Sequence, residues 1–79
     1  MKVSLEYTDT FGGEANYAWV HRTDLPDDVD PADERTIVRM AKAWAGLTGV
    51  PCRRGVYADS IVLYPRGMCT VLFIFWNDD

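Results

Sequence analysis

Three kinds of residue in this sequence could take part in chemistry: two cysteines, one histidine and a run of carboxylates. Cys52 and Cys69 lie 17 positions apart, belong to no CxxC pair, and share the chain with a single histidine, His21. A zinc site would have to recruit carboxylates, and a Cys–His nucleophilic pair would need the fold to bring Cys52 or Cys69 onto His21. Against both, Cys69 sits in the apolar segment Met68-Cys69-Thr70-Val71, where cysteine acts as a small buried hydrophobe, and His21 reads as a strand residue beside Arg22. A Cys52–Cys69 disulfide is geometrically possible, but reduced thiols are expected for a cytosolic chain. The sequence thus assigns no catalytic residue, no metal ligand and no cofactor, and the chain is not expected to be an enzyme.

The carboxylates are more informative. Asp24, Asp27, Asp28, Asp30, Asp33 and Glu34 place six of the twelve acids within eleven residues, with no basic residue among them. Neighbours such as Asp27 and Asp28 point apart on a loop, and nothing nearby suggests a dry pocket that would raise a carboxyl pKa for acid–base work. Asp24, Asp28 and Asp30 lack the glycine and distal glutamate of a calcium loop. Phe11-Gly12-Gly13-Glu14 has a glycine pair but no lysine and no following helix, so it reads as a hairpin tip and not a phosphate cradle.

Two readings of the acidic run remain. Either Asp30, Asp33 and Glu34 start a helix while the rest solvate a loop, or all six form a partner-binding ridge that docks on a basic groove. Fully extended at ~3.3 Å per residue, the run would space its charges roughly 6 Å apart, far sparser than the ~1.7 Å of duplex DNA. Imitation of a duplex would therefore need Glu6, Asp9, Glu14, Asp59, Asp78 and Asp79 on the same face.

Composition narrows the function classes. The 79 residues suffice for one domain, residues 1–79, and the net charge of −4 argues against direct binding of nucleic acid, which relies on clustered Lys and Arg. At 48% hydrophobic and 13% aromatic the chain is too apolar to be disordered, yet it has no run near the ~20 apolar residues of a membrane span. A cytoplasmic, monomeric protein without membrane association is expected.

The elements that must position these groups follow from periodicity. Val3, Leu5 and Tyr7 alternate with polar residues as a first strand, and Asn16 to Arg22 reads as a second, joined by a loop longer than two residues. Thr23 to Pro31 is a connecting loop. Asp30 as N-cap and Pro31 at the first helical position open a helix whose apolar face is Ile37, Met40, Ala41, Trp44 and Ala45, flanked by Val38 and Leu47. Arg35, Thr36, Arg39 and Lys42 take the other side, and Gly49 is placed for a left-handed cap. Three strands follow: Cys52 to Tyr57, Ser60 to Tyr64, and Met68 to Trp76 after the turn Pro65-Arg66-Gly67.

Val71 to Trp76 is apolar throughout and reads as a central strand covered on both faces, with one open face as the alternative. The strand aromatics Tyr7, Tyr17, Trp19, Tyr57, Tyr64, Phe73, Phe75 and Trp76 are expected to fill the core, base stacking being the alternative. Arg53 and Arg54 form the one adjacent basic pair, and Arg39 and Lys42 the basic helical face. The expected fold class is α+β, four to five antiparallel strands with one helix packed on them, in the order ββαβββ or ββαββ.

The opening from Met1 to Val20, with Phe11-Gly12-Gly13-Glu14 and Tyr17-Ala18-Trp19, and the later Ala41-Lys42-Ala43-Trp44-Ala45-Gly46-Leu47-Thr48-Gly49, resembles small proteins of bacteriophages and prophages. That group has no catalytic motif, so no functional residue carries over. In size, acidity and lack of catalytic apparatus the chain is similar to anti-CRISPR proteins. The resemblance implies a phage-encoded inhibitor acting in the host cytoplasm. Its partner would be a Cas protein or crRNA-guided, Cascade-type complex whose basic DNA-binding surface it blocks. The alternative is another phage or bacterial protein–protein interaction module without catalysis.

Overall fold

The computed structural model describes residues 2–77; Met1, Asp78 and Asp79 lie outside the described residues. The element order is β1 (Lys2–Phe11), β2 (Glu14–Asp24), α1 (Glu34–Trp44), β3 (Cys52–Val56), β4 (Ser60–Pro65) and β5 (Thr70–Asn77). This is the ββαβββ form of the expected α+β class. The strands make one antiparallel sheet in the order β2-β1-β5-β4-β3, so the apolar β5 is central.

Register explains the sidedness of the sheet. The row Leu5, Ile74, Ile61 and the row Tyr7, Leu72, Leu63 run across β1, β5 and β4. They turn one face toward Ile37, Val38 and Ala41 of α1, and Leu47 completes the cluster. Alternation sends Glu6, Phe73 and Val62, with Ser4, Phe75 and Ser60, to the opposite face, which no helix covers among the described residues. The face-open arrangement of Val71–Trp76 is therefore the one adopted. Phe73 and Phe75 are half-buried on that face.

The largest fully buried side chains are aliphatic, Leu5, Ile37, Leu47, Ile61, Leu63, Leu72 and Ile74 among them. That corrects the expectation of an aromatic core: Tyr17, Trp19 and Tyr57 are exposed, and Tyr7, Tyr64, Phe73, Phe75 and Trp76 are half-buried. One helix on one face leaves only a single thin layer of interior, which branched aliphatics fill without carrying polar ring atoms inside. Trp44, expected in the core, is 36% exposed because it closes the last turn of α1 at the margin of the sheet. Trp44→Ala should cost about 1 kcal/mol, well under the ~3–5 of a buried Trp. A urea midpoint lowered by no more than about 1 M is the expected result.

The helix starts later and stops earlier than the sequence suggests. The N-cap is Asp33, whose carboxylate accepts from the Thr36 N–H at 3.2 Å, while Asp30 accepts from Ala32 N–H at 2.9 Å in the preceding turn. Hydrogen bonding from the Thr36 hydroxyl and N–H holds the Asp33 carboxyl below its ordinary 3.8. At the other end Gly46 N–H bonds Ala43 O and Leu47 N–H bonds Lys42 O, the paired bonds of a Schellman stop with Gly46 at φ +74°. Gly49, also at positive φ, belongs to the next turn.

The β1–β2 connection is a two-residue turn, Gly12–Gly13 at φ +63° and +85°, and not the longer loop expected. Both glycines accept the left-handed conformation that twist-matched hairpin turns demand. The extra residues sit in a bulge instead: between the pairs Thr8–Val20 and Thr10–Ala15, β1 has only Asp9 while β2 has Asn16 to Trp19. Asp9 fills that gap, accepting from Asn16 Nδ2 and from Ala18 N–H, both at 2.9 Å. Those bonds, Asn16 foremost, hold its carboxyl below 3.8. A lowered folded pKa means that Asp9 and Asp33 stabilise the native state above their unfolded value and stop doing so as pH falls through the folded one. Stability should thus be flat above about pH 5 and decline below pH 4, and Asp9→Asn should flatten the decline, read as melting temperature against pH.

Candidate functional site

β1 begins, and β2 and β5 end, at one end of the sheet, and the segment from Leu25 to Asp33 leaves that end to reach α1. It is pinned rather than loose. Leu25 is buried and its N–H bonds Val3 O at 2.8 Å, Val29 packs against the core, and Trp76 Nε1 donates to Pro31 O at 2.9 Å. Between these anchors Pro26 to Val29 forms a turn closed by Val29 N–H on Pro26 O, with Asp27 and Asp28 at its tip. The segment is folded into turns, so the extended-chain spacing of its charges does not apply.

The six predicted partner-binding residues fall into two groups. Asp24 accepts from Ser4 Oγ at 2.7 Å and faces Lys2 Nζ at 3.8 Å. Glu34 lies 3.4 Å from an Arg54 guanidinium nitrogen, and Asp30 and Asp33 hold local backbone N–H groups. Asp27 and Asp28 are exposed and make no hydrogen bond or ion pair among the described residues. Asp59, in the β3–β4 turn, joins the same end of the sheet, its backbone oxygen accepting from Trp76 N–H.

The wider set needed for duplex imitation does not assemble. Glu6 is on the uncovered face against Arg22 at 3.3 Å, Asp9 is spent on the bulge, Glu14 is at the opposite, hairpin end, and Asp78 and Asp79 lie outside the described residues.

Neither cysteine meets His21 in a hydrogen bond: Cys52 is half-buried and donates to Val50 O, and Cys69, expected buried, is exposed in the turn before β5. His21 lies against Trp19 with ring centroids 5.4 Å apart and planes tilted by 51°, and Trp19 meets Tyr7 edge-on at 5.3 Å. Tyr7, His21, Trp44 and Ala45 line a cleft of about 300 Å³. Among the described residues no cluster of three His, Cys, Asp or Glu side chains could hold a metal, and no helix is long and apolar enough to cross a membrane.

Arg53 and Arg54, adjacent on β3, point to opposite faces, Arg53 stacking over the Tyr64 ring at 4.4 Å and Arg54 turning toward α1. There it joins Arg35, Arg39 and Lys42 around a groove of about 520 Å³. The i, i+4, i+7 spacing of the three helical cations was the available signal; the contribution of Arg54 depended on strand register.

No family model, no curated protein and no solved structure matches the chain. The fold and the acidic end define a small one-helix, five-strand α+β domain with a displayed anionic turn.

Proposed function

We propose that the protein is a non-catalytic binding inhibitor that sets its acidic end on the basic, nucleic-acid-binding surface of a host protein. The anti-CRISPR resemblance makes a Cas protein or crRNA-guided complex the expected partner. The observation that carries this reading is the pair Asp27 and Asp28, exposed and unpaired at the tip of an anchored turn, with Asp24, Asp30 and Asp59 at the same end of the sheet. Anchoring matters because a preformed loop loses little conformational entropy on docking. Complementary charge then speeds encounter and fixes orientation. The molecule exposes 5073 Å², so a standard interface of ~800 Å² per partner takes about a sixth of its surface. Partial charge mimicry by one end of the sheet replaces the broader duplex imitation that the positions of Glu6, Asp9 and Glu14 disfavour.

The test is competition. Target-DNA binding by a purified crRNA-guided complex is measured with and without a tenfold excess of this protein, and the proposal requires DNA binding to fall; undiminished binding by the complexes of the natural host would sink it.

The uncovered sheet face supports the second reading, an interaction module of another kind. Phe73, Phe75 and Tyr64 are half-buried there with no helix over them among the described residues. Sedimentation equilibrium separates the two, because the inhibitor reading expects a monomer and a face-to-face module a dimer.

A further inference from the structure

The groove between α1 and β3 collects charge of the wrong sign for an acidic protein. Arg35, Arg39 and Lys42 follow one another at i, i+4 and i+7 on a single helix face, Arg54 faces them from β3, and Glu34 is the one carboxylate in the lining. Like charges at these helical spacings repel, and the nearest further acid is the N-cap Asp33, whose carboxyl the Thr36 hydrogen bonds, helped by the charges of Arg39 and Arg35, hold below its usual value. Arg54 reaches Glu34 at 3.4 Å and Lys42 donates one N–H to Val50 O at 2.8 Å, leaving it two free donors. Arg35 and Arg39 make no ion pair or hydrogen bond among the described residues.

We propose that this groove binds a small, soluble ligand carrying a chain of phosphates, of the nucleoside triphosphate or oligophosphate class. Among the described residues the four lining cations outnumber the lining carboxylate Glu34 and the adjacent Asp33 together, which favours a multiply charged anion. The volume of about 520 Å³ lies in the range of small-molecule sites. Guanidinium forks bind phosphate oxygens two at a time, and three arginines lining one groove favour that geometry over isolated point charges. Val38 supplies an apolar lining for the uncharged part of the ligand, and Thr48 lies beside it in the groove. The site is separate from the Asp27–Asp28 turn, so it stands whether or not the inhibitor reading does.

The experiment titrates the isotopically labelled protein with sodium tripolyphosphate and follows backbone amide shifts. Saturating shifts confined to residues 34–42 and 48–54 are expected. Arg35→Gln with Arg39→Gln, on an exposed helix face, should leave the melting temperature near wild type and weaken binding about a hundredfold, roughly tenfold for each charged hydrogen-bonding partner lost. Glu34→Gln removes the opposing charge that pairs with Arg54 and should tighten binding. Absence of saturation at millimolar ligand, shifts scattered over all cations, or variants that bind like wild type would overturn the proposal. So would equal affinity for a tri-glutamate peptide, which would make the groove a general anion surface. Co-sedimentation with vesicles containing phosphorylated phosphatidylinositol, in place of tripolyphosphate binding, would move the phosphate to a membrane and overturn the soluble ligand.

Discussion

Leu72→Ala should leave the protein at the edge of unfolding. Leu72 is 0% exposed at the centre of the central strand, between Tyr7 of β1 and Leu63 of β4, with α1 above it. Removing three carbons from such a site costs about 2–5 kcal/mol, through lost burial and a cavity the sheet cannot close. A domain of this size has a total stability of roughly 4–12 kcal/mol, so the loss consumes much of it. The neighbouring Phe73→Ala, on the uncovered face, removes a larger side chain from a half-exposed position and should cost less. Urea denaturation of the two variants reads the sidedness directly. If Phe73→Ala proves the more damaging, something other than α1 supplies the principal packing surface.

The second large effect is on binding. Asp27→Lys with Asp28→Lys reverses the two unpaired charges at the tip of the Pro26–Val29 turn and should weaken partner binding by a few kcal/mol, chiefly by slowing association. Folding should be unaffected, since the residues that anchor the loop are Leu25, Val29 and Pro31 and the helix cap is Asp33. The same interaction should weaken as salt rises from ~0.1 M to ~1 M and the Debye length shrinks from about 10 Å to about 3 Å. Asp33→Ala makes the complementary control, lowering the melting temperature while changing binding by no more than one charge. Protection of phage on a CRISPR-immune host compares wild type with the double Lys variant. Equal protection by both would reduce the turn to a solvated connector.

Much of the fold is written in local pattern. The alternation Val3, Leu5, Tyr7, the unbroken apolar run Val71 to Trp76 and the Pro65-Arg66-Gly67 turn are short-range signals, and each leads to the strand or turn observed. The helix is legible in its apolar spacing but not at its ends. Both Asp30 and Asp33 can cap, and both Gly46 and Gly49 can stop, and the choice between them belongs to whichever turns let Ile37, Val38 and Ala41 reach the sheet. The bulge at Asn16 to Trp19 had no local signature, because its stabilising acceptor, Asp9, comes from the facing strand.

What the sequence by itself determined is the class: one α+β domain, acidic, with an anionic segment before its helix and a chemistry too sparse in Cys and His for a catalytic or metal centre to be read from spacing. Tertiary structure alone decided which charges are available and on which side. Asp24 and Glu34 are taken up by Lys2 and Arg54 across strand and helix, while Asp27 and Asp28 stay free at the turn. Strand alternation sends Arg54 into the groove and Arg53 onto Tyr64. The physical reason is that charge acts through space over a few ångströms, and positions such as Glu34 and Arg54, 20 residues apart in the chain, become neighbours only when the sheet and helix close on a common core.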